Sequence, residues 1–446
     1  AIAIAFCSYN LQIIQVGHNT KMQAIAYFPW VLAGVIFTYK TAFKGKTWKE
    51  WLPKTVLGAV LFSLALSMQI KANHIQITYY LAIVIFVYAL ALLINLCIDK
   101  ERRAELKRFF AASALLLVLG CIGIATNANK LIPTYEYTPY TMRGGSELSS
   151  DSESHNEKGL DLEYATAWSY GIEEMPNLLI PNFNGGASAG ELDRSSETYK
   201  ALKQGGYQGA EQIIKQLPLY WGPQPFTAGP MYMGAISVFL FVLGFFVLRG
   251  GIRWWIGGVS LLALMLGWGY HLMPVSEFFF NWAPMYNKFR TVSMILVILQ
   301  MLIPVLGVLA ANEILFGEDY EGKKQRVQKG LYWALGLTAG VCALFAVLPS
   351  LAGTFISASD GQLPGEIAVA LANDRAAMLS SDAWRSVFFI VAAFVAIFLA
   401  YKRIWLKPVT AAIVLAVLVL VDLWSVDKRY LNDYKFNKAV LLTRKY

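Results

Sequence analysis

The sequence is poor in charge and in cysteine. Of its 446 residues only 15% are Asp, Glu, Lys or Arg, while 57% are hydrophobic. A soluble domain carries about 25% charged residues, so this deficit excludes an ordinary cytosolic enzyme and a disordered chain. All four cysteines (Cys7, Cys97, Cys121, Cys342) sit in apolar runs, which excludes a disulfide framework and offers no zinc-ligand spacing. Also missing are the Walker A loop, the GxGxxG fingerprint, the GxSxG elbow and HExxH, so nucleotide hydrolysis and serine or zinc hydrolase chemistry are disfavoured. No initiator Met or basic signal region precedes the first apolar run. Because Ala1 opens inside that run, the chain is expected to start partway through a longer protein.

What the sequence has in abundance is apolar runs near the length of a membrane span, roughly 17–25 residues. Eleven are expected, at about 1–16, 23–39, 55–70, 78–98, 109–126, 231–248, 254–272, 291–316, 331–351, 386–401 and 409–425. The fold class is therefore an all-α polytopic membrane protein. The formal charge of +9 is not a nucleic-acid signal, and no nucleic-acid partner is expected. Residues 131–230 hold 13 Asp/Glu against 6 Lys/Arg, a local net of −7, and the rest of the chain carries +16. Much of that positive charge lies in five short loops, at Lys40–Lys54, Lys100–Arg108, Arg249–Arg253, Lys323–Lys329 and Lys402–Lys407. The positive-inside rule puts these loops in the cytoplasm and every intervening loop outside. Ala1 then begins inside and Tyr446 ends outside.

This parity divides the chain. Residues 1–126 hold the first spans, 127–230 a large outer loop, and 231–351 further spans. An outer loop with an interfacial amphipathic helix occupies 352–385, the last spans 386–426, and an outer C-terminal segment 427–446. Within the large loop, 144–163 and 184–212 are rich in Gly, Ser and Glu and are expected to be mobile. By contrast, 164–183 and 217–232 are rich in aromatics and Pro and are expected to be ordered.

Cations at outer boundaries oppose the positive-inside trend, so each needs a favourable partner. Lys21, Lys71, Lys130, Lys288 and Arg290 are such exceptions. An anionic phosphate at headgroup level is the candidate partner; snorkelling, or pairing with a loop carboxylate, is the structural alternative. His18-Asn19-Thr20-Lys21 and Asn73-His74-Ile75-Gln76 each combine an imidazole, an amide and a nearby cation, suited either to a ligand or to plain helix capping. If the reaction is transfer to a hydroxyl, a general base is needed. Glu136, among Tyr135, Tyr137, Tyr140 and Arg143, is the best-placed carboxylate, ahead of Glu173, Glu174, Asp374 and Asp382. Tyr220, Trp221 and Gln224, in a Pro-fixed YWGPQP turn, could line a sugar groove or belong to an ordinary aromatic belt. Lys288 with Asn287 and Arg290 completes the set. Expected in one outer site are Lys288 and Arg290 with His18, Asn19, Lys21, His74 and Glu136. No metal-ligand spacing appears; no cofactor is required, although a divalent cation is compatible with the chemistry.

The runs GHNTKMQAIAYFPWVLAGV, ANHIQITYY, PTYEYTPYTMRGGSEL, LPLYWGPQPFTAGPMYMGA, NKFRTVSMI and DRAAMLSSDAWRS resemble the YfhO family of bacterial polytopic membrane proteins in its Bacteroidota-type form, over about residues 1–435. The resemblance implies a GT-C glycosyltransferase architecture in the bacterial cytoplasmic (inner) membrane. The active site would face outward, moving a sugar from a polyprenyl-phosphate carrier to an envelope glycan or lipid acceptor. In such enzymes an earlier outer loop carries the catalytic carboxylate and a soluble domain follows the last helix. This chain is expected to lack both, leaving Glu136 as a substitute base. The alternatives are a non-catalytic membrane subunit that binds other envelope membrane proteins, or a lipid or solute transporter. Transport would need ionisable residues midway through spans, and Glu313 and Asp422 lie near run ends.

Overall fold

The computed structural model describes residues 1–144, 159–318 and 320–432. The expectation of mobility at 144–163 therefore falls largely on residues outside the described part, as does most of the 427–446 segment. Among the described residues the protein is helical, with one isolated bridge, Gly190 to Leu217, in place of strands. Eight helices there are long and apolar enough to cross a membrane: α1 (Asn19–Ala42), α2 (Trp48–Lys71), α3 (Ile75–Ile98), α4 (Arg103–Ala125), α5 (Val292–Phe316), α6 (Gly322–Val347), α7 (Gly365–Tyr401) and α8 (Pro408–Tyr430). The chain is a multi-pass membrane protein. The other three apolar runs take different forms. Residues 2–15 break into Ile2–Ala5 and Ser8–Gln15, and Ala235–Val247 is only 13 residues long. Ile252–Gly267 and Gly269–Trp282 form a pair bent by 112°.

Two compact units make up the chain. One comprises residues 18–169 and 250–299; the other comprises 1–17, 170–249 and 300–446. We call them the strap unit and the network unit.

In the strap unit, α1 packs closely on α2. Lipid-facing helices gain little from apolar burial alone, so small residues that admit close backbone approach decide the contact. Gly58 of α2 is such a point: a Cβ there would lie 2.7 Å from Thr38 Oγ1 of α1. Polar side chains add hydrogen bonds between helices. Gln69 Nε2 donates to the Ala24 carbonyl at 3.0 Å, and Ser63 Oγ to the Leu119 carbonyl at 2.6 Å.

In the network unit, Ala235–Val247, α6, α7 and α8 share one core, built on Phe239, Leu243, Leu331, Ile390, Ala393 and Leu423. Gly244 lets α5 approach, because a Cβ there would sit 2.7 Å from Leu306 Cγ. The interfacial helix and the span expected as two elements are one helix of 37 residues. At 1.5 Å per residue this is about 55 Å, well beyond an apolar core of about 30 Å. Its first turns are covered by protein: Ile367 and Leu371 complete a satellite core with Leu192, Leu202, Ile214 and Leu219. The segment 184–212, expected to be mobile, is therefore packed. Asp374 of α7 caps its helix Glu197–Gln204, accepting from Glu197 N (2.8 Å), Thr198 N (2.7 Å) and Thr198 Oγ1 (2.6 Å). Arg375, wholly buried, pairs with Asp360 at 2.5 Å and donates to the carbonyls of Leu219 and Phe355.

Candidate functional site

The strap unit gathers cations around one turn. Residues 285–291 lie between the bent helix pair and α5, and backbone hydrogen bonds pin the turn from several chain segments. Leu160 N donates to the Asn287 carbonyl at 2.9 Å and Thr291 N to the Ala165 carbonyl at 3.0 Å. Gln76, buried at the start of α3, donates through Nε2 to the Arg290 carbonyl (2.8 Å) and to Tyr80 Oη (2.7 Å). Arg143 Nε donates to the Lys288 carbonyl at 2.9 Å, while Lys288 Nζ donates back to the Arg143 carbonyl at 2.6 Å.

This anchoring holds unusual backbone. Met285 (φ 61°) and Thr291 (φ 59°) bracket the turn in the left-handed region, and Asn73 (φ 60°) precedes His74. Only two other non-glycine residues among those described, Phe355 and Arg403, share that region. For a β-branched residue such as Thr291 it costs on the order of 1–3 kcal/mol, and strain of this kind concentrates at functional sites.

Lys21, buried in the first turn of α1, lies close enough to Arg290 for their charges to act on each other. His18 and His74 both feel Lys21 as well. Burial, then the Lys21 charge, lowers the His18 pKa and pulls His74 down to about 4, so both imidazoles are neutral at pH 7. His18 and His74 are the N-caps of α1 and α3. The ends of two helix dipoles thus reinforce the positive potential of the Lys and Arg side chains. Burial lowers the Lys288 pKa. Tyr164 receives a hydrogen bond from Arg290, whose guanidinium also lies 5.7 Å from the Tyr164 ring centroid.

Of the residues expected in one site, His18, Lys21, His74 and Arg290 act on one another electrostatically and Lys288 lies on the pinned turn, to which the separate candidates Gln76, Arg143 and Asn287 also belong. Asn19 opens α1 and is exposed. Glu136 is exposed on the helix Ala128–Tyr137, with no side-chain hydrogen bond or ion pair among the described residues. Tyr164, first residue of the aromatic segment expected to be ordered, joins the cluster although nothing in its local sequence marks it as a partner of Arg290. Among the described residues no three His, Cys, Asp or Glu side chains assemble as a metal site.

Tyr220, Trp221 and Gln224 belong to the network unit, where they serve a different centre. Glu174, 1% exposed, accepts from Tyr220 Oη at 2.6 Å, Gly171 N at 2.7 Å and Gln224 Nε2 at 3.0 Å. Trp221 packs edge-on against Phe355 with centroids 5.0 Å apart. Burial raises the Glu174 pKa to about 7, and the hydrogen bonds from Tyr220, Gly171 and Gln224 oppose that rise. Tyr220 and Gln224 thus spend their polar groups on Glu174. Asp382 is likewise engaged, pairing with Arg429 at 2.6 Å and accepting from Asn182 N at 3.2 Å.

A cluster of Lys and Arg side chains, neutral imidazoles and helix N-termini can bind a phosphate and stabilise negative charge that develops on it. Searches against known proteins offer no relative to extend this: no protein-family model, no curated protein and no solved structure matches the chain.

Proposed function

We propose that the protein is a membrane glycosyltransferase of GT-C type, using a polyprenyl-phosphate-linked sugar as donor and an envelope glycan or lipid as acceptor. The observation that carries this reading is the placement of Lys21 at the start of a membrane-length helix, near enough to Arg290 for their charges to act on each other and near two neutral imidazoles. A lipid phosphate at headgroup depth is an anion that Lys and Arg side chains at the end of a span can bind. The topology that goes with it has eleven membrane-entering segments, with the cluster on the extracytoplasmic face of the bacterial cytoplasmic membrane.

In the transfer, the acceptor oxygen bonds to the anomeric carbon as the bond from that carbon to the phosphate oxygen breaks. The electron pair stays with the leaving lipid phosphate, whose growing charge Arg290 and Lys21 stabilise. A carboxylate takes the acceptor proton; Glu136 is the candidate within this chain. His74, neutral, holds a sugar or acceptor hydroxyl. The test is native mass spectrometry of the protein in nanodiscs, comparing undecaprenyl phosphate with phosphatidylglycerol. Preferential retention of undecaprenyl phosphate, lost in Arg290→Ala, supports the reading. Equal retention of the two lipids contradicts it.

A further inference from the structure

The helix Ala128–Tyr137 is held by very little protein. It is ten residues long, and none of them is buried. Ile132 is 55% exposed and Tyr135 76%. Isolated helices shorter than about 12–15 residues are marginal in water. Pro133, inside this one, also lacks the backbone N–H that an unbroken helical ladder needs. Packing against the rest of the strap unit therefore does not account for the helix, and a further surface must cover it.

Its two ends show where it lies. At the start, Asn127 Nδ2 donates to the Ser67 carbonyl at 3.0 Å, and Lys130 Nζ donates to the Lys71 carbonyl at 3.2 Å. Both carbonyls belong to the end of α2, and α4 has just ended at Ala125. Beyond the far end, Arg143 Nε donates to the Lys288 carbonyl at 2.9 Å, shortly before α5 begins. The Arg290 carbonyl on that same turn is tied by Gln76 to the start of α3. The segment from Ala128 to Arg143 is thus fastened at both ends to termini of membrane-length helices on one side of the strap unit. A segment so held runs along the membrane boundary and does not project from it.

The helix also has two faces. At about 100° per residue, Leu131, Ile132 and Tyr135 share one side, while Asn129 and Tyr137 lie away from it. The exposed apolar surface of α4, with Leu117, Val118 and Ile122, faces lipid along its span and ends three residues before the helix starts. Lipid is therefore the surface continuous with the open side. A tyrosine there, apolar in its ring and polar at its tip, suits headgroup depth.

We infer that Ala128–Tyr137 is an interfacial lipid-binding helix, with the side bearing Leu131, Ile132 and Tyr135 set into the adjoining leaflet. The assignment needs no sugar transfer and holds whether or not the cationic turn binds a phosphate.

Spin labels test it, attached singly through Asn129→Cys, Ile132→Cys, Tyr135→Cys or Tyr137→Cys to the protein in nanodiscs. The exposed Cys97 and Cys121 are first replaced by Ser, and thermal melting checks that each variant is folded. Oxygen concentrates in lipid, whereas a charged nickel chelate stays in water. Oxygen collisions should dominate at positions 132 and 135, and the order should reverse at 129 and 137. Chelate collisions equally frequent at all four positions would overturn the lipid face. Shielding of all four from both reagents would overturn it too, because protein would then be the covering.

Discussion

Gln76 Nε2 lies 2.8 Å from the backbone carbonyl of Arg290, joining positions 214 residues apart. Gln76 is buried on the first turn of α3, so this amide ties the cationic turn to the helix that His74 caps. The relationship makes Gln76 a positioning residue. Gln76→Leu should lower affinity for farnesyl phosphate about tenfold, because a buried carbonyl left without a donor costs about 1–3 kcal/mol and the turn relaxes to recover it. Gln76→Glu, which cannot donate when ionised, should not rescue. Unchanged binding in both variants would show that the turn holds its shape without this bond.

Arg290 is the cation most directly implicated. A hydrogen bond to a charged group is worth about 1.5–3 kcal/mol, so Arg290→Ala should weaken phosphate-lipid binding roughly ten- to a hundred-fold. Arg290→Lys should recover only part, because the planar fork is lost. Titration of the three proteins with farnesyl phosphate distinguishes these outcomes.

Glu174 gives a pH signature in the network unit. Burial raises its pKa in the folded protein to about 7 from an ordinary 4.5. The folded state therefore holds this proton more tightly than the unfolded state. The stability it contributes is fully present below about pH 4.5 and is lost as pH rises through about 7. The Tm should fall across that window by the equivalent of a few kcal/mol at most. Glu174→Gln should flatten the slope there. A wild-type Tm that rises between pH 5 and 7, with the same slope in the variant, would assign the titration to other groups.

Arg375 and Asp360 are both buried and are bonded at 2.5 Å. Removing one partner strands the other, at about 3–5 kcal/mol. Arg375→Met should expose the 192–219 module to limited proteolysis while the membrane helices stay resistant. If the digestion pattern matches wild type, the module is held by its satellite core alone.

The orientation reading predicts that Ser195→Cys and Lys324→Cys, both exposed positions, label from opposite sides of the membrane. The neighbouring Lys323 is unsuited to this, being buried and paired with Glu313 at 3.2 Å. Same-side labelling would break the loop parity from which the topology is read.

Apolar length made eight of the expected spans legible, and loop parity assigns His18, Lys21, His74, Lys288 and Arg290 to one side. What the sequence hid was long-range polar satisfaction. The polar stretch around Asp374 and Asp382 reads as an interfacial helix, yet Asp374 caps a helix near residue 197 and Asp382 pairs with Arg429, so α7 runs on unbroken. The segment 184–212 reads as mobile because its apolar residues are sparse; Leu192 and Leu202 find their core on Ile367 and Leu371, far along the chain. Tyr220 and Gln224 read as either a sugar groove or an aromatic belt because nothing local reveals that Glu174 takes up their polar groups.

The central claim is that a lipid phosphate sits at the cationic turn. Cryo-electron microscopy of the protein in nanodiscs with undecaprenyl phosphate tests it most directly. The account predicts phosphate density within hydrogen-bonding distance of Lys21 and Arg290, with the lipid tail leaving along α1. Well-resolved lipid density elsewhere, with no anion against Lys21 or Arg290, would contradict it.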